Sequence, residues 1–203
     1  MSARRVGRPR WRDAALVLLA LALIVGLRKA EPGYEEKLAP IVLPGSAELE
    51  RIEARNFAVD VRGFKLARAY LVAGPYHDPQ PKRVSTSGVW LSVVAEVEAL
   101  QSPGLVDAYI RTRDGLKYRA SRDRPDHDAN LGARTLAPLL PELGAWFFEV
   151  PPDRLQGAHL EVFWGVLGAP GRVDHVVDID LGIDDERAQA LLDEAPPLLD
   201  LRG

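Results

Sequence analysis

From Asn56 onward apolar residues return at every second position, the period of a strand with one hidden face and one wet face, and this alternation limits the fold more than any other feature. Phe57, Val59 and Val61 begin it, and Phe64 to Val72 continue it after Arg62 and Gly63. Val89, Leu91, Val93, Ala95 and Val97 then mark one face of a long strand, with Trp90, Val94 and Glu96 on the other. Ala108 to Arg113 and Leu116 to Ser121 flank Asp114-Gly115, a dipeptide that accepts the positive φ values of a type I′ hairpin turn. Ala145 to Val150, Ala158 to Trp164 and Val173 to Leu181 supply three more strands, and Ala73 to Ser87, with Gly74, Pro75, Pro79 and Pro81, reads as a loop. Short strands without a helix long enough to cover a parallel sheet predict an all-β chain of two antiparallel sheets packed face to face.

The N-terminal end follows other rules. Arg4, Arg5, Arg8, Arg10 and Arg12 precede an uninterrupted apolar run from Ala14 to Leu27, closed by Arg28 and Lys29. Fourteen helical residues cover roughly 21 Å, short of the roughly 30 Å hydrocarbon core, so length alone suits a signal-peptide core as well as an anchor. Trp11 at the interface, cations able to snorkel outward, and a poor small-x-small cleavage pattern favour an uncleaved signal anchor over 14–29, with Leu16, Leu19, Leu23, Ile24 and Leu27 in contact with phospholipid. The excess of cations before the run places residues 1–13 in the cytoplasm as a short basic tail and the remainder outside the cell membrane. Arg4-Arg5 also resembles a twin-arginine export signal, but its neighbours lend that no support. Residues 30–55, with Pro32, Gly33, Pro40, Pro44 and Gly45, read as a linker in which Ser46 to Arg55 has a weak helical pattern. The sandwich occupies 56–183. Asp184, Asp185 and Glu186 suit the start of a C-terminal helix in 184–203, running to about Glu194 and ended by Pro196 and Pro197.

Charge and composition exclude several functions. Residues 1–29 carry seven Lys/Arg and one acid, leaving 19 basic and 28 acidic groups beyond them, a balance unsuited to nucleic acid. With no cysteine, disulfides, thiolate metal sites, a thiol nucleophile and a lipoprotein anchor are excluded.

Three segments carry a family resemblance: Gly88-Val89-Trp90-Leu91-Ser92-Val93-Val94-Ala95-Glu96-Val97, Tyr109 to Tyr118 around Asp114-Gly115, and Gly144-Ala145-Trp146-Phe147-Phe148-Glu149-Val150-Pro151. Their order over Asn56 to Leu181 resembles the immunoglobulin-like domain of unknown function found on secreted and membrane-anchored bacterial proteins, related to the immunoprotective extracellular antigen fold. The resemblance implies an immunoglobulin-like sandwich and transfers no catalytic residue. Glu98, Ala99 and Leu100 stand where that family often closes the long strand with Asn.

Few groupings offer chemistry. Asp126-His127-Asp128, with Asp123 nearby, supplies oxygen and imidazole donors for a divalent cation, although Arg122, Arg124 and Arg134 neutralise the same carboxylates. Asp178, Asp180, Asp184, Asp185 and Glu186 fit a calcium loop poorly because Gly182 is misplaced by one. His159, Glu161 and His175 form a further candidate ligand set, with nothing in the sequence to bring His175 to the others. Gly-x-Ser-x-Gly, Ser-x-x-Lys, His-Glu-x-x-His and P-loop patterns are absent. Adjacent Trp146, Phe147 and Phe148, and adjacent Phe163 and Trp164, cannot all face one core, so Phe147 and Trp164 are candidate partner contacts. The expectation is a non-enzymatic, cofactor-free binding or assembly module with an unknown extracytoplasmic or membrane protein as partner. The alternatives are an accessory subunit of a transporter or export complex, and an extracytoplasmic metal binder or unrecognised enzyme.

Overall fold

The computed structural model describes residues 10–30, 34–48, 51–74, 80–165 and 170–202, so residues 1–9 of the expected basic tail, 31–33 and 49–50 of the expected linker and 75–79 of the expected loop lie outside the described residues. The chain divides into two compact units, Met1–Ala39 and Pro40–Gly203.

The first unit holds helix α1 (Arg10–Ala30) and a single turn, α2 (Tyr34–Lys37). The uninterrupted apolar run makes α1 helical, and Trp11, Leu16, Leu19, Leu23, Ile24 and Leu27 are all exposed on it. No helix among the described residues is long and apolar enough to cross a membrane, so the expected spanning anchor is not supported. The physical reason lies in the flanks. Arg12 and Asp13 at one end, and Arg28 and Lys29 at the other, fill the turns that a full span needs to be apolar.

The second unit is a sandwich of two sheets. One has the order β1 (Ile41–Ser46), β9 (His175–Asp180), β8 (His159–Trp164), β5 (Val106–Arg111), β6 (Lys117–Arg119). The other runs β10 (Leu199–Asp200), β3 (Phe57–Val72), β4 (Lys82–Ala99), β7 (Glu142–Val150), with β2 (Ile52–Glu53) also on β3. Alternation places Val89, Leu91, Val93, Ala95 and Val97 of β4 against Leu160, Val162, Val177 and Ile179 of the facing sheet, in one core that also holds Trp146 and Phe148. The two runs around Gly63 are one strand, β3, whose register against β4 shifts between Val61 and Gly63 and again between Ala67 and Ala69.

Four expectations change. The sandwich is not wholly antiparallel, because β1 pairs with β9 and β10 pairs with β3 in parallel. Both are edge additions reached by long connections, which permit a parallel neighbour where a tight turn does not. The stretch read as a linker contributes β1 and β2 instead, and β4 begins at Lys82 within the expected loop. The Asp114-Gly115 hairpin forms, but only Gly115 has a positive φ (84°); Gly115 N–H donates to Thr112 O at 2.8 Å and Thr112 N–H to Leu116 O at 2.9 Å. That is a three-residue loop with Gly115 as its bulge, not a type I′ turn. Helix α3 (Asp185–Glu194) forms as expected, with Asp184 as its cap accepting from Arg187 N–H at 2.8 Å.

Candidate functional site

The outward positions of β5, β8 and β9 alternate with core residues, and where a sequence reader sees scattered charges the sheet register joins them. Arg111 lies opposite both His159 and Lys117, while Glu161 lies opposite Tyr109 and Asp178. Arg111 Nε donates to Glu161 Oε1 at 2.8 Å and its Nη2 to Asp178 Oδ2 at 2.7 Å, while Lys117 Nζ donates to the other oxygen of Glu161 at 2.5 Å. His159 Nδ1 lies 2.9 Å from Asp178 Oδ1. Further along the same face Phe163 is fully buried and stacks on Tyr109, with centroids 5.0 Å apart, and the buried Asp107 carboxylate accepts from Arg119 and Arg122 at 2.9 and 3.0 Å. Paired in this way, these charges satisfy one another across the sheet face.

The end of this face differs. Past His159 and Arg111 the surface sinks into a hollow of about 580 Å³ lined by Arg113, Gln156, Gly157, Asp180, Gly182 and Asp184 among others. A second hollow of about 530 Å³ shares Arg113 and Gln156 and adds Thr112, Asp114 and Arg154. The acids are engaged: Asp180 accepts from Gly182 N–H at 2.8 Å, Asp184 caps α3, and Asp114 pairs with Arg154. Asp114 also accepts from Thr112 Oγ1 at 2.5 Å, and that bond first and Arg154 second hold its carboxyl below the usual range. Arg113 lies between the two hollows, its stem within 3.4–3.7 Å of where a Cβ on Gly157 would stand. Its guanidinium is exposed and, among the described residues, meets no carboxylate. A planar fork of donors beside a polar hollow suits a carboxylate or another oxyanion.

The candidates singled out from sequence fare differently. Among the described residues no group of three or more His, Asp or Glu side chains is placed to hold a metal. His127 Nδ1 accepts from Ala129 N–H at 3.0 Å, which leaves the proton on Nε2 to be donated to Leu201 O at 2.8 Å, so both ring nitrogens are engaged. The Asp126-His127-Asp128 loop thereby fastens the C-terminal segment. His159 and His175 lie toward opposite ends of β9: His159 pairs with Asp180, while His175 accepts from Arg55 N–H at 2.9 Å. Phe147 does point outward from its sheet, but it is only 2% exposed, in a second cluster with Tyr70 and Trp90 covered by Leu199 and Leu201. Trp164 turns toward the core, partly buried, with its indole filling the space that a side chain on Gly104 would need. Arg113 carries no signal in the sequence beyond being a cation next to the Asp114-Gly115 turn, indistinguishable there from any solvated arginine.

The fold is a β-sandwich of two sheets with two polar hollows toward one end. No described protein family and no curated protein matches the chain. Among solved structures it is similar to an uncharacterised β-sandwich protein of Clostridium difficile 630, 16% identical over 73% of this chain and 99% of that one, with a TM-score of 0.41. It is also similar to MPT63, a secreted protein of Mycobacterium tuberculosis, 15% identical over 69% of this chain and 99% of that one, with a TM-score of 0.46.

Proposed function

We propose that this protein is a non-catalytic extracytoplasmic binding module on an immunoglobulin-like sandwich, held at the membrane by the apolar run of α1, which receives an acidic group of a partner protein at Arg113. The observation that carries it is a guanidinium with no carboxylate partner among the described residues: of the arginines lining the two hollows, Arg111 and Arg154 are each held by carboxylates while Arg113 is not. The ionisable groups beside it are committed to each other or to the backbone, which suits recognition better than proton transfer. The exposed apolar side chains of α1, flanked by Arg12, Arg28 and Lys29, support association with a bilayer in which the cations reach the headgroups.

An oligoglutamate peptide titrated against the labelled full chain tests the recognition site, with oligolysine as control. Amide shifts at Arg113, Gly157 and Gly182 are expected with oligoglutamate alone, and Arg113→Glu is expected to weaken binding by about 1.5–3 kcal/mol, roughly tenfold or more. Equal shifts with both peptides, or binding untouched by Arg113→Glu, would remove the reading.

A further inference from the structure

Six of the large apolar side chains that the sandwich unit leaves exposed gather at one end of it. They are Ile41 (45% exposed), Val42 (58%), Leu139 (69%), Leu140 (60%), Leu143 (62%) and Val173 (40%). A chain of hydrogen bonds across both sheets shows that they share that end. Leu139 N–H donates to Ala99 O at 2.8 Å, and the next residue, Leu100, donates to Asn56 O at 2.8 Å. Asn56 Nδ2 donates to Asp174 Oδ2 at 2.7 Å, and Ile41 N–H donates to Asp174 O at 2.8 Å. Leu143 sits a few residues into β7, opposite Glu96, and Val42 opposite Val176.

Two of the six are also the described non-glycine residues with a positive φ, Leu139 at 59° and Val173 at 57°. Side chains seldom adopt that backbone, a β-branched one least of all, and here it is spent on holding apolar groups in water. Between them Arg55, whose Nη1 donates to Val173 O at 3.4 Å, has no carboxylate partner among the described residues. The polypeptide reaches the sandwich at this same end. Only about ten residues separate α1 from Ile41, so a helix lodged in a membrane tethers this end within a reach of at most about 35 Å of it. The hollows around Arg113 lie toward the opposite end of β9, where His159 pairs with Asp180.

We propose that this end of the sandwich rests on the lipid bilayer, with Leu139, Leu140 and Val173 in its interfacial layer and Arg55 at the phosphates. The inference rests on the reading of α1 as membrane-associated for delivery, and adds a second, independent contact. The acidic excess of the sandwich opposes attraction to anionic lipid, so apolar insertion drives the contact and added salt leaves it in place.

The chain contains no cysteine, so single labels are straightforward. Leu139→Cys, Leu140→Cys, Leu116→Cys and Leu19→Cys variants of the full chain, each carrying an environment-sensitive fluorophore, are mixed with phosphatidylcholine vesicles containing a minor share of phosphatidylglycerol. The expected result is a blue shift, and quenching by lipid-borne quenchers, at 139 and 140 but not at 116, on the hairpin. A label at 19 that responds while 139 and 140 stay dark overturns the inference and leaves α1 as read. Labels at 139 and 140 that respond while 19 does not support the inference and remove the α1 reading; silence at all three removes both. A blue shift at 139 that grows with protein concentration and escapes lipid quenching assigns the end to a second copy instead, and overturns the proposal.

Discussion

Asp114 shows how a residue can be legible as a turn and opaque as a contact. Its place before Gly115 announced the hairpin, yet its carboxylate serves Thr112 and Arg154, the latter forty positions away in sequence and brought close only by folding. Its folded-state pKa is lowered, so the clamp is fully present above the ordinary aspartate range near 4 and is lost as the pH falls through the lower folded value. After division by the intrinsic exchange rate, which itself falls with pH, protection of the Thr112–Leu116 hairpin is expected to drop on acidification from pH 5 toward pH 3, and Asp114→Asn is expected to remove that dependence. Protection factors that change equally in both proteins would show that the clamp is idle. Val173 illustrates strain that sequence patterning cannot register, since its apolar character placed it at the start of a strand and its φ of 57° places it in the turn before β9. Val173→Gly is expected to raise stability by about 0.5–1 kcal/mol, the left-handed cost of about 1–2 kcal/mol less the extra chain entropy of glycine. Denaturant unfolding checks this, and a loss of stability would mean that the valine side chain holds the turn.

At the scale of elements, length decided what could be read. The long strands β3 and β4 alternate over enough residues to declare themselves, and α3 was marked by acids at its start and two prolines after its end. Strand β1 was hidden by its own Pro44 and Gly45, which punctuate a sequence but are tolerated on an edge strand. Strands β2 and β10 have two residues each and exist only because β3 offers them a partner. The question of which of Trp146, Phe147 and Phe148 faces outward has an answer that depends on β10. Trp146 and Phe148 enter the main core, and Phe147 joins Tyr70 and Trp90 on the other side, roofed by Leu199 and Leu201. Burial there pushes the Tyr70 phenol up to about 12. The C-terminal segment is therefore a strap over an aromatic cluster, pinned by His127 to Leu201 O and by Leu201 N–H to Leu71 O. A chain ending at Pro197 is expected to lose about 2–4 kcal/mol, to bind a hydrophobic dye, and to show a tyrosine titrating nearer its ordinary value of about 10. Unchanged stability and an unchanged phenol would mean that the strap covers nothing of consequence.

Across the sandwich unit the apolar and polar features separate by end. Ile41, Leu139, Leu140 and Val173 occupy the end where the chain arrives, while Arg113 and its two hollows lie toward the end that carries the Asp114-Gly115 hairpin. Nothing in the linear order announces this separation, because Ile41 and Leu139 reach the same end only through the pairings of β1 with β9 and β3 with β4 and the Asn56–Asp174 link between the sheets. The sequence did carry the apolar run of α1 and the sandwich it precedes, since both depend on local period and length. Photo-crosslinkers at Gln156 and at Leu140, placed one at a time in the full chain and activated in intact membranes, bear most directly on the proposed division of labour. The expected result is protein adducts from Gln156, lost on Arg113→Glu, together with lipid adducts from Leu140. Lipid adducts from Gln156, or protein adducts from Leu140 alone, would contradict it.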